Sequence, residues 1–360
     1  MGPGARKRAF ERARTRRRTL TEKDFASYEA LAKLHHAYFL GLQLMVSSNK
    51  GTDVVGDWMF RLFRKQHEDK FLSSFEKLGL TGLPHAVACA KYHVLSNSIG
   101  SVPVEYMYET DQKAWVRFRY PRWMFAGPTV CGMPVSASRG FLNGWYAQNG
   151  VSLGNPRLGY VCVSEDVTGE FGLCGYFKEY DHDLSEDERL QFAKGERPPP
   201  FVEADQPAPP PGDWTPERLA KANRNYAVEY VRNGISQLLN VLPQEEVSEL
   251  CEKSGRLIGL QYAQELADDT GFEIDTPEAL GEFIRYLLEG MGDDVGSLEN
   301  SQFTHGNLRI TKGFDGAVRE TLLTGWVSLF QGMGMSRRGL YKIDVDSESD
   351  ATLVWRIAAS

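Results

Sequence analysis

The stretch GYVCVSEDVTGEFGLCGYFKEYDHD, residues 159–183, holds the side chains in this chain best suited to chemistry. Cys162 and Cys174 are thiols, the residue type of covalent nucleophiles and soft-metal ligands. His182 stands between Asp181 and Asp183, and a neighbouring carboxylate fixes an imidazole's tautomer and raises its basicity. This pattern suits a site in which Asp181 and His182 do acid–base work and Cys174 is nucleophile or ligand. Arg139, shortly upstream, offers a bidentate clamp for a carboxylate, and Trp145, Tyr160 and Tyr176 would line the substrate. A divalent metal is the one cofactor these residues suggest, with Cys162, Cys174 and His182 as its candidate ligands.

Each assignment has a plainer alternative. The thiols also read as half-buried packing groups or a disulfide. DHDLSEDER is equally a surface turn in which Asp183 or Ser185 caps a helix, SEDERLQF. Arg139 is otherwise an exposed helix arginine, and Trp145 and Tyr146 are otherwise core. His85, Cys89 and His93 have the H-x3-C-x3-H spacing of one helix face, which is geometrically competent for a metal, although three ligands along two turns would make an unusual site. His35 and His36 project about 100° apart on a helix and do not easily share an ion. His305 reads as an exposed turn residue.

The elements must bring these groups together. Strands at about 159–165 and 171–178 flank VTGE, where Gly169 tolerates positive φ. A turn centred on Thr168 pairs Cys162 with Cys174 and Tyr160 with Tyr176 on one face. Val161, Val163, Leu173 and Phe177 then take the other, and a one-residue slip would separate the thiols. Before this hairpin the pattern predicts helices over 22–46, 53–79 and 83–97, a hairpin in VPVEYMYETDQKAWVRFRY and a helix near 136–149. Helices follow at about 216–241, 244–267 and 277–290, the first and last opened by Thr-Pro-Glu triplets at 215 and 276. LENSQFTHGNLRITKGF reads as a short hairpin turning at His305-Gly306, then come a helix at about 315–331 and a final hairpin, GLYKIDVDSESDATLVWRI. In the helix at 244–267, Cys251 reads as a core thiol.

The order of three helices, hairpin, helix and hairpin occurs twice. The expected fold is α+β, two tandem similar halves with helices packed on short antiparallel hairpins. Seven of the 17 prolines fall between Pro198 and Pro211, which marks 196–214 as a stiff connector. The domains expected are 1–20, a basic arm; 21–195, with the candidate site; and 215–360, a possible repeat.

Up to Arg18 the chain carries eight basic residues and one acid, so within a net charge of −7 the remainder is −14. An acidic body lacks the basic face that phosphate binding needs, which argues against a nucleic-acid partner. The longest apolar run, YFLGLQLMV, is too short to span a bilayer, so no membrane partner is expected and the expected location is the cytoplasm. Five cysteines without a CxxC pair suit reduced thiols there. Neither a phosphate-binding GxGxxG nor a GxxxxGK[ST] motif is present.

AKLHHAYFLGLQ, LGNPRLGYVCV and GLCGYF resemble segments of the L-2-amino-thiazoline-4-carboxylate hydrolase family over roughly 25–180. That resemblance implies hydrolytic opening of a small sulfur- and nitrogen-containing ring, and it assigns no catalytic residue here. The proline-rich segment and the second half depart from a single-domain member. The expected function is a hydrolase (C–N bond, ring-opening) or lyase acting on a small polar substrate, an S/N-heterocycle among the candidates, with its site beside 159–183. The alternative is a non-catalytic ligand-binding or dimeric scaffold protein, with a homodimer as the macromolecular partner.

Overall fold

The computed structural model describes residues 20–100, 102–119, 127–170, 172–208, 215–336, 341–349 and 351–359. The basic arm up to Thr19 lies outside them. Among the described residues eight helices of ten residues or more form. They are α1 (Leu20–Lys50), α2 (Thr52–Phe75), α3 (His85–Ile99), α4 (Val135–Gly144), α5 (Pro216–Leu238), α6 (Gln244–Thr270), α7 (Pro277–Met291) and α8 (Gly316–Met335). Both Thr-Pro-Glu triplets start helices as expected. The Thr215 hydroxyl accepts from Arg218 N (3.2 Å) and Thr276 from Ala279 N (3.1 Å), satisfying amides the helix leaves open.

The strands make two sheets, giving an α+β fold. The first orders β1 (Val104–Thr110), β2 (Lys113–Phe118), β4 (Cys174–Glu179), β3 (Leu158–Ser164) and β5 (Leu190–Phe192) as β1-β2-β4-β3-β5. The second orders β6 (Asp294–Val295), β7 (Gln302–Gly306), β8 (Tyr341–Ser349) and β9 (Thr352–Ala359) as β6-β7-β9-β8. In each, the second strand of the first hairpin pairs with the second strand of the next.

Two expected local structures are corrected. SEDERLQF is not a helix. Ser185 does cap, in a capping box with Glu188, but only a single 3₁₀ turn, Glu186–Glu188, follows. Leu190–Phe192 then pairs in parallel with Tyr160–Cys162, so sheet pairing overrides the helical start. His305 is not an exposed turn residue. The turn falls at Asn300 and Ser301, both with positive φ, and this places His305 in β7, fully buried.

By contact the chain forms two compact units whose segments interleave. One comprises residues up to Tyr38, Asn223–Val228 and Cys251 onward; the other comprises Phe39–Ala222 and Glu229–Leu250. The division therefore does not fall at the proline-rich segment, whose described part, 196–208, belongs to the second of these units. In that unit α3 covers one face of the first sheet, over a core that includes Phe71, Tyr92, Tyr146, Tyr160, Cys162 and Phe177. There α4 lies against α2 so closely that a Cβ on Gly144 would stand 2.5 Å from the Phe60 carbonyl. In the other unit Trp326 and Trp355 are fully buried beside the second sheet, and Trp326 donates to His35 Nε2 at 3.1 Å. Among the described residues no helix is long and apolar enough to cross a membrane.

Candidate ligand site under the proline strap

The register of β3 and β4 decides where the thiols go. Cys162 pairs with Gly175 and Tyr160 with Phe177, one residue away from the register expected of a tight turn at Thr168. The cause is the loop. Asp166–Thr168 coil into a 3₁₀ turn closed by the left-handed Gly169, and Glu170 reaches back to accept from Glu165 N at 2.8 Å. A bulge between Cys162 and Ser164 shifts the pairing again. Cys162 and Tyr160 consequently face the α3 side, while Cys174 and Tyr176 face the other with Met107, Trp115, Val161 and Val163. The expected Tyr/Cys/Cys/Tyr face does not form, and no disulfide links the thiols.

The remaining expected site residues scatter. His182 and Asp181 are exposed and bond to each other, His182 Nδ1 to Asp181 Oδ1 at 2.8 Å, on the turn after β4. The bond to His182 is the first cause holding the Asp181 carboxyl below its ordinary value. Arg139 makes the bidentate clamp its chemistry favours, but on the chain's own Glu165: Nε and Nη2 lie 3.2 Å from its two oxygens, and the Glu165 side chain is fully buried. Trp145 packs edge-on to His67 (5.5 Å between centroids) at the margin of the core. Burial pushes both Cys162 and Cys174 up to about 12, the opposite of what activates a thiolate. Among the described residues no group of three His, Cys, Asp or Glu side chains is placed to hold a metal ion. Cys162, Cys174 and His182 therefore do not converge on one.

The H-x3-C-x3-H helix face is packing. His93 is sandwiched between Tyr146 (3.9 Å) and Phe177 (5.4 Å) and bonds to Asn149, whose Oδ1 lies 3.1 Å from His67 Nε2. Burial drives His93 well below its ordinary value and His67 to about 4, so both are neutral imidazoles. His85 bonds instead to Asn155, at 3.0 Å.

What the structure does build around Cys174 is a cleft. The chain leaving β5 turns back across the sheet face opposite α3, and Ala193 packs on the residues of that face. Further on, the Gln206 amide bonds both ways with the Tyr106 backbone, accepting from its N at 2.9 Å and donating to its O at 2.8 Å. Between these attachments Pro198, Pro199, Pro200 and Phe201 roof a space of about 800 Å³ whose floor is Val163, Ser164, Cys174 and Arg117. Proline fixes φ and cannot donate to a sheet ladder, so this strap is stiff and cannot zip onto the sheet beneath it.

A cross-strand row supplies the polar side of the floor: Glu105 opposite Arg117, and Arg117 opposite Cys174. Glu105 takes Arg117 Nε at 2.5 Å and its Nη2 as well. Glu170 is held by Lys194 at 3.0 Å, and Glu196 accepts from the Tyr176 hydroxyl at 3.2 Å. Sequence reasoning located Cys174 and Tyr176 but missed Arg117, Arg197 and the strap. Arg117 belongs to a hairpin distant in sequence and arrives only through β2–β4 pairing. The proline run was the available signal, and its composition reads equally well as a connector. No family model, curated protein or solved structure matches this chain.

Proposed function

We propose that the protein binds a small molecule in the cleft between the first sheet and the Pro198–Phe201 strap. The observation that carries this reading is the roofed cleft itself. Its volume of about 800 Å³ lies within the usual range for small-molecule sites, and apolar walls converge there with a few charged groups. The test is a ligand-observed NMR screen of a small-molecule library, with hits mapped by amide hydrogen exchange. Ligands of this site slow exchange at 163–164, 174, 195–197 and 201; hits that protect only other segments overturn the assignment.

A second reading, hydrolysis or elimination in the same cleft, is favoured by one observation. Cys174 lines the cleft opposite Arg117, whose charge acts to lower the thiol's pKa against the larger effect of burial. The resemblance over 25–180 to the L-2-amino-thiazoline-4-carboxylate hydrolase family supports ring-opening C–N hydrolysis as that reaction. Turnover of that thiazoline, abolished by Cys174→Ser with the fold intact, is its expected signature. We also read the two halves as a duplication. The support is their shared succession of elements and the common order of their sheets.

A further inference from the structure

The charged groups lining the cleft are Arg117, Glu170, Glu196 and Arg197. Three are already engaged: Arg117 by Glu105, Glu170 by Lys194, and Glu196 by Tyr176 and by Lys113 at 3.6 Å. Arg197, exposed at the start of the strap, has no hydrogen-bond or ion-pair partner among the described residues. Each of these three thus has a partner outside the lining, Lys113 being shared with Glu109 at 3.2 Å, and one guanidinium is left over. The other walls are apolar, Val163 and Cys174 below and the three prolines with Phe201 above.

We infer that the ligand is an apolar carboxylic acid, with a hydrocarbon or aromatic body between Val163, Cys174 and the proline roof and its carboxylate on Arg197. This rests on the reading that the cleft binds a small molecule. A planar guanidinium takes a carboxylate through two parallel hydrogen bonds, and the stiff roof loses little freedom on closing over the body. A cationic ligand finds no free partner in the lining, because Glu170 and Glu196 are both held. A strongly polar one would strip water from its groups against proline and valine without replacing those hydrogen bonds.

The experiment is calorimetric titration of the full chain with three probes of one shape: 3-phenylpropanoate, 3-phenylpropan-1-ol and 3-phenylpropylamine. The acid is expected to bind about tenfold more tightly than the alcohol, with the amine weakest. Raised salt should shrink the acid's advantage without touching the alcohol. Arg197→Gln, a substitution at an exposed position, should bring the acid down to the alcohol's affinity. Acid and alcohol binding alike would overturn the carboxylate while leaving a ligand cleft in place. An acid preference that survives in Arg197→Gln would overturn Arg197 as its anchor. Failure of all three probes to bind would overturn both the acid and the cleft as a ligand site.

Discussion

Cys174 and Cys131 show what burial does to one functional group. Four thiols, Cys89, Cys162, Cys174 and Cys251, are buried, and Cys131 alone is exposed. With burial pushing Cys162, Cys174 and Cys251 up to about 12, almost none of these thiols ionises near neutral pH. Titration of the native protein with Ellman's reagent at pH 8 should release one equivalent quickly, and Cys131→Ser should remove that phase. A second fast equivalent belonging to Cys174 would instead show a reactive cleft thiol. Arg139 and Glu165 give the opposite case, a buried carboxylate that depends on one partner. Arg139→Ala should cost about 2 kcal/mol by chemical denaturation, and Glu165→Gln in the same chain should recover most of it, because no buried charge is then left alone. His182→Ala, on an exposed turn, should move stability by no more than about 0.5 kcal/mol.

At the scale of elements, the strap is held at two places and stiffened by proline between them. Gln206→Ala removes both bonds to the Tyr106 backbone, so limited digestion with chymotrypsin should cut after the exposed Phe201 faster than in wild type, at little cost to global stability. Unchanged cleavage would mean that Ala193, Glu196 and the prolines hold the strap without Gln206. The helices were legible because apolar spacing and Thr-Pro-Glu caps are local signals, and both caps formed as read. The β3–β4 register was not, because it depends on how Glu165 to Glu170 coil, and a two-residue turn and a 3₁₀ turn there share the same Thr-Gly signature. That single residue of slip moved Cys162 away from Cys174 and with it the expected site. The cleft was partly legible: Cys174 and Tyr176 stood out as residue types, but Arg117 reaches Cys174 only by pairing across more than fifty residues of sequence.

At the scale of the whole molecule, both units bury neutral imidazoles. Burial holds His35 at about 4 and His36 at about 3 in one unit, and His67 at about 4 in the other. The unfolded chain protonates each near its ordinary value of 6.5. Below that pH the unfolded state therefore binds more protons than the folded one, so stability is full above about 6.5 and falls as the pH drops towards 4. The slope approaches about 1.4 kcal/mol per pH unit for each histidine. Thermal melts between pH 7.5 and 4.5 should show Tm falling below pH 6.5, and His36→Leu should flatten the curve. Interleaving has a further consequence. A cut within 209–214 yields two fragments, and neither contains all of either unit. Expressed separately, 1–208 and 215–360 should each remain incompletely folded; expressed together, they should reassemble. Such a pair of fragments would work as a split protein, each half reporting the presence of the other.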